Sequence, residues 1–128
     1  MNSITIEMPY IGSCITVNHY LGKRKSHYGF YVKGETQAWK DELGWKIKSA
    51  HIEDWRLPLK VQCSGQFKDK RSQPDLSNLS KVILDAIEET TGVNDSNFRW
   101  RDGDITIDKT ADPILLITIE ETTRTPPG

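Results

Sequence analysis

Residues 59–68 alternate without interruption: Leu59, Val61, Cys63, Gly65 and Phe67 fall on one face, and Lys60, Gln62, Ser64, Gln66 and Lys68 on the other. Successive side chains of a strand point to opposite sides, so this run is a half-buried strand whose apolar face demands a cover. A polar turn over 69–73 and Pro74 follow. The period then becomes helical, with Leu76, Leu79, Val82, Ile83, Ala86 and Ile87 forming one stripe until Gly92 stops it. A strand and a helix in succession, each apolar on one side, bury those sides together. Any fold for this chain is built around that pair.

The flanking segments supply the rest. Ile4, Ile6 and Met8 alternate with Thr5 and Glu7, a strand ending at Pro9. Glycines and scattered aromatics over 11–34 predict an exposed loop returning through a short strand at 30–32. From Thr36, a plausible N-cap, Trp39, Leu43, Ile47 and Ala50 recur at helical spacing. Residues 100–108 and 114–120 predict two more strands joined through Ala111, Asp112 and Pro113. The last is apolar on both faces, which places it inside the sheet. The expected fold is α+β: one domain over 1–121, a mixed β-sheet with two main helices packed on it, and a flexible tail over 122–128 that holds two prolines.

The chain has 128 residues, enough for one hydrophobic core without staples. Its 36% hydrophobic and 27% charged residues are ordinary globular values. No apolar run approaches the roughly 20 residues that span a bilayer, so no membrane partner is expected. Residues 1–9 alternate and carry Glu7 instead of presenting a basic stretch and an apolar block, which makes the cytoplasm the expected compartment. The two cysteines, Cys14 and Cys63, lack zinc-site spacing and read as reduced, with Cys63 in the core.

A formal net charge of −1 conceals an asymmetry. Between Met8 and Gly34 there is no acidic residue, while Lys23, Arg24, Lys25 and Lys33 are basic and His19 and His27 accompany them. That segment is a candidate phosphate-contacting arm, which Lys70 and Arg71 extend from the turn before the second helix; a solvated surface has the same charge pattern. From Asp102 onward the balance is acidic.

The second helix carries a polar stripe opposite its core stripe: Asp75, Asn78, Lys81 and Asp85, at intervals of three, three and four. Phosphodiester hydrolysis needs an activated water and neutralisation of the phosphate, which Mg²⁺ held by one to three carboxylates supplies, with a lysine beside it to bind phosphate. Amphipathic helices also show such residues to water, so spacing alone does not decide.

The run Pro74-Asp75-Leu76-Ser77-Asn78-Leu79-Ser80-Lys81-Val82-Ile83-Leu84-Asp85-Ala86-Ile87, followed by Val93-Asn94-Asp95-Ser96, resembles the signature of the RusA-type Holliday junction resolvases, D-x-D-N-x-x-K, then D-A-L, then D-D. Upstream, Thr16-Val17-Asn18-His19-Tyr20, Tyr31-Val32-Lys33 and Ala38-Trp39-Lys40 resemble that family's N-terminal asparagine, basic loop, short strand and first helix. The resemblance implies a homodimeric, Mg²⁺-dependent (or Mn²⁺-dependent) endonuclease that nicks four-way DNA junctions symmetrically. By position it makes Asp75 and Asp95 metal-binding aspartates and Lys81 the catalytic lysine, with Ser77, Asn78 and Asp85 in support. Two positions depart from the pattern: Ser77 stands where the family has its second aspartate, and Asn94 where it has the first acid of the later pair. Retained activity is the favoured expectation, and a non-catalytic junction-binding protein with a degraded metal site is the alternative.

A helix over 76–90 separates its ends by roughly 22 Å, and Asp85 from Asp75 by about 15 Å, beyond the reach of one ion. Either the chain returns along the helix quickly after Asp95, or two helices pack antiparallel in a dimer so that Asp75 of one copy meets Asp95 or Lys81 of the other. Asp85 is expected to orient a neighbour, to hold a basic residue, or to be a surface carboxylate. Asp102, Gly103, Asp104 and Asp108 lack the calcium-loop pattern and read as a strand with a turn. Arg99, Trp100 and Arg101 combine charge with aromatic surface that could touch DNA, although a strand tryptophan is more often core. No phosphate-binding glycine loop or Ser/His/Asp set is present.

Overall fold

The structure, a computed structural model, describes residues 2–12, 15, 29–71 and 73–122, with the side chains of 29–33 excepted. Strand β1 (Ser3–Pro9) is followed by helix α1 (Gly29–Lys48), strand β2 (Leu59–Phe67), helix α2 (Ser80–Thr91), and strands β3 (Phe98–Ile107) and β4 (Ile114–Glu120). Three short 3₁₀ turns, Ile52–Asp54, Leu76–Leu79 and Asp95–Asn97, lead into β2, α2 and β3. The four strands form one mixed sheet in the order β1-β4-β2-β3, antiparallel except for the parallel pair β2/β3. The fold is the expected α+β domain.

The alternation that predicts β2 is the alternation of its burial: Leu59, Val61, Cys63 and Phe67 are fully buried, while their neighbours are exposed or half-buried. Ile6 and Met8 of β1 and Leu115, Ile117 and Ile119 of β4 join them on the same face. Trp39, Leu43 and Ile47 of α1 and Val82, Ile83, Ala86 and Ile87 of α2 cover that face. One core results, between a sheet and a pair of helices. Among the described residues no helix packs on the other face of the sheet, and β4 has the central place expected of it. Leu116 on its outer face is 40% exposed, because both helices lie on one side of the sheet.

Two expectations are corrected. The short strand at 30–32 is instead the start of α1, and Thr36, expected as the N-cap, lies inside that helix, buried. Aromatic and β-branched residues at 30–32 favour strand locally, but they open a 20-residue helix whose later turns pack Trp39, Leu43 and Ile47 into the core, and that packing overrides local propensity. The strand expected at 100–108 runs from Phe98 to Ile107.

α1 and α2 cross tightly at Gly44. A Cβ there would collide with Thr90 Oγ1, so glycine is what lets the helices approach. Beside this crossing, buried Lys40 pairs with Glu89, and Gln37 donates to Asp41 and Glu89. Gly92 ends α2 in the left-handed conformation, φ 77°, and its N–H donates to the Glu88 carbonyl. The parallel pairing of β2 and β3 requires a crossover, and the 3₁₀ turn Leu76–Leu79 with α2 provides it. This crossover positions the candidate site.

Candidate active site

Pro74 and the extended backbone of Asp75 (φ −74°, ψ 122°) turn the chain out of the β2 exit loop and into the 3₁₀ turn that opens α2. The Asp75 carbonyl accepts the Asn78 N–H at 2.9 Å, and the Ser80 hydroxyl donates to the Ser77 carbonyl at 2.8 Å, closing two turns in succession. The Asp75 carboxylate is left exposed at the head of α2, where helix-terminal N–H groups favour negative charge. Its Oδ1 accepts a hydrogen bond from Ser77 Oγ at 3.1 Å. Ser77 therefore contributes a hydroxyl beside one carboxylate where the family pattern has a second acid.

One turn further, Lys81 is 44% exposed and its Nζ lies 3.3 Å from Asp85 Oδ1. A cation in the first turn of a helix is opposed by the helix dipole, and a carboxylate at i+4 offsets that. Asp85, with its side chain 20% exposed, thus holds the lysine, the role left open for it among three. Lys70 and Arg71 are exposed in the turn between β2 and Asp75, at this same end of the sheet. Asp75, Ser77, Asn78, Lys81, Asp85, Lys70 and Arg71 therefore share one end.

Asp95 does not join them. It opens the 3₁₀ turn before β3, is exposed, and donates its N–H to Glu88 Oε2 at 3.3 Å. Because β2 and β3 are parallel, Asp75 follows the end of β2 and Asp95 precedes the start of β3, at opposite ends of the sheet. The intervening twelve residues of α2 alone span about 18 Å. The chain does run back beside α2 as β3, but Asp95 stays at the start of that strand and so does not meet Asp75 within one chain. Asn94, in the place of the family's first acid of the later pair, caps the turn, its Oδ1 accepting the Ser96 N–H at 2.9 Å.

Lys23, Arg24 and Lys25, with His19, His27 and Cys14, lie outside the described residues, and Lys33 is in α1 with its side chain outside them. A group without a strong sequence signal appears at His51, Glu53 and Asp54, exposed, with ligand atoms within 4.8 Å of one another. Only their proximity in sequence could have suggested it. Cys63 is no nucleophile: burial first, and the Asp102 carboxylate second, push its thiol up to about 12. Asp108 closes the turn after β3 by accepting the N–H and hydroxyl of Thr110, which hold its carboxyl below the usual range; a strand with a turn, not a calcium loop, is what stands there. Among the described residues no helix is long and apolar enough to cross a membrane.

Mg²⁺ prefers hard oxygen ligands, one or two carboxylates completed by water and phosphate oxygens. The head of α2 offers the Asp75 carboxylate, one hydroxyl and the Asn78 amide, a donor set of the right chemistry in which Ser77 stands in the place of the second acid. The family model described as Endodeoxyribonuclease RusA matches residues 13–120 of this chain. No curated protein sequence matches it.

Proposed function

The chain belongs to the RusA endodeoxyribonuclease family, and from that membership we propose that it is a structure-selective endonuclease that nicks four-way (Holliday) DNA junctions as a homodimer with Mg²⁺ as cofactor. The observation that carries this reading is the set of groups at the head of α2, where Asp75, Asn78, the Lys81–Asp85 pair and the basic turn Lys70–Arg71 face solvent together. Lys81, fixed by Asp85 but open to solvent, binds a phosphate oxygen of the scissile group and offsets charge that builds there in the transition state. Lys70 and Arg71 contact flanking phosphates, and Lys23, Arg24, Lys25 and Lys33 extend that track from the N-terminal side.

Asp75 supplies a metal ligand, and Asp95 of a second copy supplies a second carboxylate. Bound there, Mg²⁺ (or Mn²⁺) provides Lewis-acid chemistry and a nucleophilic water at neutral pH. Ser77 donates into Asp75 and orients it. Two copies contain two such sites, which suits paired nicks on opposite strands of a junction.

Ser77 favours one second reading, a junction-binding protein that no longer cuts, since a hydroxyl is a weak substitute for a carboxylate on Mg²⁺. One experiment separates the two. The purified protein is incubated with a synthetic four-way junction and with a linear duplex of the same sequence, in Mg²⁺ or in chelator. Metal-dependent nicks confined to the junction are expected; tight junction binding with no nick in either Mg²⁺ or Mn²⁺ selects the second reading.

A further inference from the structure

The sheet has two edges, and the fold treats them differently. On β1, Asn2 O and Tyr10 N bond toward the β4 side, so the carbonyls of Glu7 and Pro9 face the free edge. Lys46 Nζ donates to Glu7 O at 2.9 Å and Trp39 Nε1 to Pro9 O at 2.8 Å. Side chains of α1 thus occupy the second half of that edge. On β3, Asp108 N bonds to Phe67 O across β2, so beyond the bulge at 103–104 the amides of Ile105 and Ile107 face away from β2. Among the described residues only the Arg99 guanidinium reaches back near this edge, to the carbonyls of Ser96 and Phe98. Ile105 and Ile107 are 38% and 39% exposed beside it. An edge of ten residues with which no other described strand pairs is a template for another strand.

The charge pattern says which strand. The first half of β3 carries Arg99 and Arg101, the second half Asp102 and Asp104, all exposed. An antiparallel copy of β3 sets each basic half beside an acidic half, whereas a parallel copy sets like against like. Keeping equivalent faces together, with the bulge counted as one pleat, puts Trp100 opposite Ile105, Phe98 opposite Ile107 and Arg101 opposite Asp104. The one unfavourable meeting is Asp102 with itself at the axis, where Trp100 Nε1 holds one carboxylate oxygen of each copy at 2.7 Å.

We propose that the free edge of β3 is the homodimer interface: two copies join β3 to β3 antiparallel about a two-fold axis, making one eight-stranded sheet and setting Asp95 of each copy at the Asp75–Lys81 end of the other. This rests on the shared-site reading above and supplies its geometry. Asp95 lies just before β3 begins, and Asp75 and Lys81 lie where β3 ends, so reversing the second strand is what brings them to one end.

Sedimentation equilibrium tests the interface. Arg101→Glu and Asp104→Arg are each expected to raise the dimer dissociation constant at least tenfold, because each places like charges opposite one another twice. An equimolar mixture of the two variants recovers a wild-type constant, since positions 101 and 104 then carry opposite charges at both contacts of the heterodimer. Asp102→Asn tightens the wild-type dimer by relieving the axis. Single variants within twofold of a dimeric wild type, or a mixture that fails to recover, overturn the interface while leaving the shared site standing. A wild type that is monomeric throughout overturns both.

Discussion

Replacing Ser77 by aspartate restores the acid that the family pattern places there, and the structure sets the size of each consequence. Ser77 Oγ is 3.1 Å from Asp75 Oδ1, so a carboxylate at 77 lies about 4 Å from that of Asp75. In water two such charges repel by about 1 kcal/mol. Position 77 is also in the turn that opens α2, where a negative charge gains about 0.3–1 kcal/mol from the helix N-terminus. These nearly cancel, so the urea midpoint of Ser77→Asp should stay close to that of the wild type in metal-free buffer. With Mg²⁺ the same proximity becomes favourable, because a second carboxylate is a ligand. Adding a carboxylate to a hard-cation site is expected to tighten it about tenfold, roughly 1.4 kcal/mol. Titration calorimetry with MgCl₂ measures this directly, and the Mg²⁺ concentration for half-maximal junction nicking should fall in parallel. Unchanged Mg²⁺ affinity in a folded Ser77→Asp protein would refute the assignment of the α2 head as the metal site.

Gly44→Ala should lose about 1 kcal/mol in denaturant unfolding: overpacking against Thr90 costs ~1–3 kcal/mol, and better helix propensity returns ~1. In Gly44→Ala/Thr90→Ala the collision is gone and the propensity gain should remain, so the double variant regains at least wild-type stability. The Glu121 carboxylate accepts the N–H groups of Asn2 first and Arg56 second, which hold its pKa below the ordinary value near 4.5. A folded pKa below the unfolded one means stability present above about pH 4.5 and lost as pH falls below it. Glu121→Gln should therefore flatten the acid limb of a plot of urea midpoint against pH, and an unchanged limb would remove these bonds from the account. In a Cys14→Ser background, Cys63 should react with an aromatic disulfide reagent at pH 8 only as fast as the protein opens, because burial holds its thiol at about 12. Rapid stoichiometric labelling of the folded protein would contradict its placement.

The strand and helix patterns of 59–92 were legible because both elements are half-buried on one side, so periodicity and burial carry the same information. The start of α1 was not, since local propensity at 30–32 points to strand while the helix that begins there is held by core packing further along it. Lys81 and Asp85 could be paired from helical spacing alone, and their contact is the i,i+4 one that this spacing allows, whereas Asp75 precedes a 3₁₀ turn where an α-helix was expected from Leu76. The position of Asp95 needed the parallel pairing of β2 and β3, a long-range property with no local signal. Helix length could say only that Asp75 and Asp95 lie far apart; strand direction puts them at opposite ends of the sheet. That changes which variants can complement one another, because Asp75 and Lys81 lie on the same side of the division and Asp95 on the other.

The most direct test of a site shared between copies is therefore nicking by mixed dimers of Asp75→Ala and Asp95→Ala. Each homodimer has two broken sites. A heterodimer has one site with both acids missing and one with both present. The account requires both homodimers to bind a four-way junction without cutting it, and the refolded mixture to nick one strand per junction in Mg²⁺. A mixture as inactive as its parents, with heterodimers shown to have formed, would contradict it.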